Sequence, residues 1–396
     1  MPPTTENALL EAALDADLAK LRKLVNGYPL PLDACDGLLN GVHLFGEREG
    51  LALQAALVTG RPLLVRGLPG VGKSQLARAA AQALGRALVL QTVDARTEPR
   101  DLMYRIDAVQ RLADAQIPLK RAAAAAPAEG TAGKRAKAPQ TNAERLALHN
   151  YVQPGALWFA FNWAEAAGLK AKSAGAACAH WFEKRAQNGV VVLIDEIDKA
   201  EADVPNALLD VLGNGGFTGP DGARVSVPAG TRPPLVVITT NEERAVPDAF
   251  LRRCLVLHLE LPEKRDELIK YVEPRAKLHV GGLDDAVLRE AAERLADDRE
   301  EARKLGLAAP GLAELIDLLR AVSKLATGRD AQIKVIEEVR RLTYRKHLEL
   351  APPPRTPATP ATGEGAVEEA PRPPAPPPAD PAKPRRSPRA KAGKPA

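Results

Sequence analysis

Apolar residues recur at helical spacing from the start of the chain: Leu9, Leu10, Leu14, Leu18, Leu21 and Leu24 place one amphipathic helix over residues 6–26. A turn-rich patch follows (GYPLPLDACDG), and a second helix is expected from Arg48 to Val58. The pattern then alternates. Short apolar runs that read as buried strands of a parallel sheet occur at PLLVRG, LVLQTV (88–93), VVVLIDEID (190–198), LVVITTN (235–241) and LVLHLEL (255–261). Helical patterns lie between them at residues 73–84, in DLMYRIDAVQRLADAQ and ALWFAFNWAEAA, and in a helix ending near Gly213. A glycine-rich hairpin, GFTGPDGARVSVPAG, precedes the fourth strand. From Glu263 to Leu350 only helical patterns appear. The expected fold class is therefore α/β: a parallel sheet sandwiched by helices, followed by an all-helical block. The expected division is an N-terminal helical segment over 1–39, an α/β core over 40–262, a helical lid over 263–350 and a tail over 351–396.

Composition changes this picture in two places. Residues 121–140 (RAAAAAPAEGTAGKRAKAPQ) are low in complexity and read as a flexible insertion. Residues 351–396 are mostly Pro, Ala and charge, without aromatics, so they cannot bury enough surface to offset their ordering entropy and read as disordered. The tail carries +4 of the chain's net +5, which leaves residues 1–350 near neutral at +1. A basic pI thus gives no argument for a nucleic-acid-binding core. Cys35, Cys178 and Cys254 lack metal-ligand spacing and cannot all pair, which suits a reducing compartment. No run approaches a membrane span and the start lacks signal-peptide regions, so a cytoplasmic protein is expected. Trp158, Phe159, Phe161 and Trp163 form an aromatic cluster for which a packing role is expected.

Four segments carry chemistry. Gly67-Leu68-Pro69-Gly70-Val71-Gly72-Lys73-Ser74 is a full G-x-x-x-x-G-K-S between an expected strand and an expected helix. Its glycines let backbone amides curl around phosphates, and the helix aims its positive end at the same charge. Lys73 would neutralise β- and γ-phosphate oxygens, Ser74 would bind Mg²⁺, and Gln75 completes the nucleotide-binding stretch. The strand Val190–Ile194 ends in Asp195 and Glu196. The aspartate is placed to hold Mg²⁺ and the glutamate to polarise an attacking water. A buried strand exiting into a charged turn would look the same without the upstream phosphate loop. LVVITTN ends in Thr239, Thr240 and Asn241, where a polar side chain would lie beside the γ-phosphate; without that context an Asn at a strand end is a turn former. Arg252 and Arg253, just before the last strand, read as either a solvated corner or an arginine finger for a neighbouring subunit's site, with Arg253 ahead of Arg252.

In order and wording these motifs resemble the AAA+ superfamily and, within it, the MoxR-like ATPases, over roughly Asn40 to Lys346. GLPGVGKS is similar to the family's Walker A, VVLIDEID to its Walker B, TTN to its sensor 1 and VPDAFLRRC to its finger region. PGALWFAF (154–161) and ALLDVLGNGGFT (207–218) are similar to the family's helical insertion and its hairpin before sensor 1. The resemblance implies a P-loop NTPase fold, ATP with Mg²⁺, a ring that is usually a hexamer with ATP between subunits, and remodelling of a protein client. It also implies a possible partner with a von Willebrand factor A domain. A looser likeness is to MoxR-type members of bacterial conflict systems. Two positions depart from the family: Ala313 stands where a sensor 2 arginine is usual, and Arg252-Arg253-Cys254 replaces Asp-Arg-Phe. The competing readings are a nucleic-acid-processing motor with the same engine, an ATP-gated assembly scaffold that does not hydrolyse, and a small-molecule kinase.

Overall fold

A computed structural model of the chain describes residues 5–25, 27–34, 40–117, 141–173 and 175–344, with side chains from residue 8 onward. The insertion expected at 121–140, the tail at 351–396 and Cys35 lie outside the described residues. Helix α1 (Thr5–Val25) packs through Leu21 on the core, and a strand pair, β1 (Leu30–Leu32) and β2 (Gly41–His43), follows where only turns were expected. Then come α2 (Glu47–Thr59), β3 (Leu63–Arg66), α3 (Lys73–Leu84) and β4 (Ala87–Thr92). A second antiparallel pair joins β5 (Tyr104–Ile106) to β6 (Val152–Pro154), and β7 (Ala179–Trp181) precedes β8 (Val190–Asp195). The hairpin β9 (Gly216–Thr218) and β10 (Arg224–Ser226) leads to β11 (Leu235–Thr240) and β12 (Leu255–His258).

Six strands form the central sheet in the order β12-β3-β11-β8-β4-β7. The five expected strands are parallel; β7 adds an antiparallel edge on β4 that no expectation covered. In β8 the run Val190–Ile194 is buried, as is all of β11, because helices cover both faces; continuous apolar runs without alternation are what such strands require. All five parallel strands therefore deliver their carboxyl ends to one edge, where open α/β sheets bind ligands.

Two expected helices differ in the structure. DLMYRIDAVQRLADAQ supplies a 3-10 turn (Pro99–Leu102), then β5, and only then a helix (Ala108–Gln116) capped by Asp107, whose carboxylate accepts from the Gln110 amide. Pairing with β6, nearly fifty residues away, overrides the local pattern. ALWFAFNWAEAA is two helices, Ala156–Phe161 and Trp163–Lys172, divided at Asn162, whose side chain caps the second through the Glu165 amide. Its aromatics pack as expected. Trp158 meets Phe217 of the hairpin edge-on at 5.5 Å between ring centres and Tyr104 of β5 at 5.9 Å, joining its helix to the hairpin and to the β5–β6 pair.

Helix α1 is fixed by a fully buried carboxylate. Asp17 accepts from Arg86 at 2.9 Å and from Arg232, in the segment leading into β11, at 3.2 Å. At the other end of the described chain, helices Arg265–His279, Asp285–Lys304, Leu312–Leu325 and Arg329–Thr343 bury a hydrophobic cluster of their own, separate from those on the two faces of the sheet. Leu259 and Leu261, expected in the last strand, lie beyond its end at His258; Leu261 joins the lid cluster.

Candidate functional site

The loop from Gly67 to Gly72 leaves β3 and enters α3 over three glycines with positive φ, a backbone that other residues adopt only under strain. At Gly67 (φ 149°) a Cβ would lie 2.2 Å from the Leu259 carbonyl oxygen, so β12's continuation closes directly on the loop. At Gly70 (φ 77°) it would lie 2.9 Å from the Glu314 carboxylate of the lid. The lid touches the loop through its backbone too: the Ala313 amide donates to the Gly70 carbonyl at 3.2 Å. A cavity of about 320 Å³ opens there, lined by Pro69, Gly70, Gly72, Lys73, Ser74, Gln75, Asp195, Glu196 and Asn241, with Leu312, Ala313 and Ile316 from the lid. Leu68 is exposed and Val71 packs on the lid cluster, so these two loop residues contribute backbone and anchoring rather than lining.

Lys73 is the hub. Its ammonium donates to the carbonyls of Gly67 (2.7 Å) and Leu68 (2.9 Å) and to Oδ1 of Asn241 (2.7 Å). Burial holds its pKa below the usual lysine value, while Asp195, Asp198, Glu196 and Glu242 oppose that shift. Asn241 in turn donates through Nδ2 to Glu196 Oε1 at 3.3 Å, and Lys199 donates to Glu196 Oε2 at 2.7 Å. Phosphate-loop lysine, strand-end asparagine and glutamate thus form one connected polar chain. Glu196 sits in the left-handed region (φ 63°), a conformation that a non-glycine residue adopts at a cost and that recurs at functional sites.

Ser74 Oγ donates to both carboxylate oxygens of Asp195, at 2.9 and 3.0 Å. One hydroxyl and one carboxylate, both hard oxygen donors beside a phosphate loop, fit Mg²⁺, which takes few protein ligands and completes its shell with water and phosphate oxygens. Among the described residues no group of three or more His, Cys, Asp or Glu could hold a metal ion. Gln75, which also lines the cavity, donates to the Val42 carbonyl at 3.1 Å and ties α3 to β2.

Arg252 and Arg253 are not part of this assembly. They end the short helix Asp248–Arg253, whose Phe250 is fully buried, and both are exposed without a hydrogen bond or ion pair among the described residues. Ala313, the residue that stands where the resembled family usually has an arginine, lines the cavity with a methyl group. Burial pushes the thiols of Cys178 and Cys254 up to about 12.

Sequence reasoning did not single out Asp198 or Lys199, and it valued Thr239 only as a strand-end polar residue. Asp198 is buried and accepts from the backbone amides of Asn241 (3.2 Å) and Glu243 (3.0 Å). Its signal was present, as the third acid of the run D-E-I-D, but an acid beyond a strand end has no visible partner until the sheet is assembled.

Residues 62–254 match the model of the AAA domain of the dynein-related subfamily. Among solved structures the chain is similar to a point mutant of RuvB from Thermotoga maritima, with 17% identity over 74% of this chain and 68% of that one and a TM-score of 0.39. It is also similar to a candidate ATPase from Cytophaga hutchinsonii, with 14% identity over 86% and 88% of the two chains and a TM-score of 0.33. No curated protein matches the chain. Family match and strand order agree on an AAA+ P-loop NTPase fold. Among the described residues no helix is long and apolar enough to cross a membrane.

Proposed function

We propose that this AAA+ ATPase domain hydrolyses ATP in a homo-oligomeric ring, with each site completed by a neighbouring subunit, and that the turnover drives remodelling of a protein partner in the manner of MoxR-like ATPases. The observation that carries the reading is the asymmetry of the site. Lys73, Ser74, Asp195, Glu196 and Asn241 converge on one cavity, while Arg252 and Arg253 stand exposed on a separate helix with no polar partner among the described residues.

In this reading the backbone amides of Gly67–Ser74 and the ammonium of Lys73 bind the phosphates. Ser74 and Asp195 would hold Mg²⁺, which supplies charge neutralisation at the β- and γ-phosphate oxygens. Glu196 accepts the proton of the attacking water, and Asn241 orients that water. The incoming γ-phosphate competes for Lys73, which releases Asn241 from its present contact. Arg253, ahead of Arg252, neutralises the developing transition-state charge from the adjoining subunit. The lid meets the phosphate loop through the Ala313 amide on the Gly70 carbonyl, and no arginine lines the cavity among the described residues. The buried packing of PGALWFAF against the hairpin supports the MoxR-like assignment over a generic AAA+ module. The resemblance to MoxR-like ATPases, and no residue of this chain, suggests a first screen for partners among cytoplasmic proteins with a von Willebrand factor A domain. The near-neutral charge of residues 1–350 disfavours a nucleic-acid motor.

The test is ATP turnover against protein concentration for the wild type, Glu196→Gln and Arg253→Ala, with sedimentation on the same samples. Turnover per subunit should rise with assembly and vanish in both variants while both still bind ATP. Turnover that ignores concentration and Arg253 would remove the ring; ATP bound and never cleaved would leave the scaffold reading.

A further inference from the structure

We infer that Thr239 and Asp198 are positioning residues that lash the reacting ends of β8 and β11 to each other, so that the metal-binding acid, the glutamate and the asparagine move as one unit. The inference rests on the ATPase reading above and adds two residues to it.

The two contacts are reciprocal. From β11, the fully buried Thr239 donates its hydroxyl proton to Oδ1 of Asp195 at the end of β8, and the hydroxyl oxygen accepts the Glu196 amide at 2.9 Å. From the turn after β8, Asp198 accepts the amides of Asn241 and Glu243 just past the end of β11. Each strand thus supplies a side chain that fixes the other's functional residue. The ladder between the two strands reaches only Ile238 opposite Ile194, so beyond that point these side chains take over from backbone pairing.

Each lash has a separate chemical consequence. Thr239 fixes the rotamer of Asp195 and leaves its second oxygen, Oδ2, to Ser74 alone. It also satisfies the amide of Glu196, whose left-handed backbone needs outside support. Without the hydroxyl, Asp195 is free to rotate away from the position shared with Ser74, and the amide of Glu196 loses its partner. Asp198 determines the path of the chain carrying Asn241, and so the distance from Asn241 to both Lys73 and Glu196. Thr239 therefore acts on metal-linked nucleotide binding and on the chemical step, whereas Asp198 acts through Asn241 on Glu196 and Lys73 and not on the metal. Partners behind metal ligands and catalytic groups typically account for about 10- to 100-fold in affinity or rate.

Thr239→Val keeps the shape and removes the hydroxyl; Thr239→Ser keeps the hydroxyl and removes a methyl. Binding of a fluorescent ATP analogue is measured with Mg²⁺ and with EDTA, beside kcat, KM and the thermal midpoint. For Thr239→Val the gain in affinity that Mg²⁺ confers should fall about tenfold, with metal-free affinity unchanged and kcat down about tenfold. Thr239→Ser should restore both. Asp198→Ala should lower kcat about tenfold at unchanged Mg²⁺ gain, and Asp198→Asn, which keeps one acceptor oxygen, should recover part of the loss. An unchanged Mg²⁺ gain in Thr239→Val, or a Thr239→Ser as impaired as Thr239→Val, overturns the role of Thr239. Should Thr239→Val not fold, the Asp198 pair decides: an unchanged kcat in Asp198→Ala overturns the lashing. A wild type that neither binds nor cleaves Mg²⁺-ATP overturns the ATPase reading itself, which these variants would then not need to address.

Discussion

The carboxyl ends of β8 and β11 and the helix Asp248–Arg253 sit at opposite extremes of polar satisfaction. At the strand ends Asp195, Glu196, Asp198, Thr239 and Asn241 all have partners within the same chain. On the helix, one fully buried aromatic, Phe250, anchors two exposed arginines that have no polar partner among the described residues. A charged side chain at the surface gains little from any single partner, so leaving one free costs the fold almost nothing. On the proposed reading, the chain builds the part of the site that must be rigid and displays the part that a neighbour would use.

The sharpest way to break that contrast is to remove a displayed arginine. Arg253→Ala should lower turnover about 1,000-fold with ATP affinity unchanged, and Arg252→Ala should lower it less. Mixing inactive Glu196→Gln with inactive Arg253→Ala should restore activity at roughly a quarter of the interfaces, those pairing an intact glutamate with an intact arginine. A mixture as inactive as its parts would mean that the arginines do not act across subunits.

On the other side of the contrast, Lys73→Ala removes the hub of the satisfied network. ATP binding, followed by calorimetry, should weaken about 100-fold while the fold persists. Next in size, Asp17→Ala leaves Arg86 buried and unpaired and should cost about 3 kcal/mol in denaturant unfolding, with α1 lifting first. If activity survives with α1 detached, the helix braces the core without serving the site. The smallest effect is expected from Ala313→Arg, which returns a cation to the cavity wall: ATP affinity should rise about threefold, because an exposed charge at the cavity mouth is largely screened.

Much of the core is legible in the amino-acid order, and the reason is contiguity. The phosphate loop is eight residues in a row, so the glycines, Lys73 and Ser74 announce a single local geometry. The runs Val190–Ile194 and Leu235–Ile238 are apolar at every position, which only a strand buried on both faces explains. Asp195, Glu196 and Asn241 could be named because they stand where such strands end.

What stayed hidden was decided between residues far apart. Nothing in DLMYRID marks a strand, because β5 exists through β6; nothing near Ala179 marks one either, because β7 exists through β4. Thr239 and Asp195 are 44 residues apart, and Asp198 and Asn241 are 43 apart. The local sequence around each of the four is equally compatible with water as the partner. The chain by itself determined which groups could do chemistry, since that depends on residue type and on short-range backbone geometry. Only the assembled sheet decided which of them hold one another in place, since a hydrogen bond between two strands has no counterpart in either strand alone.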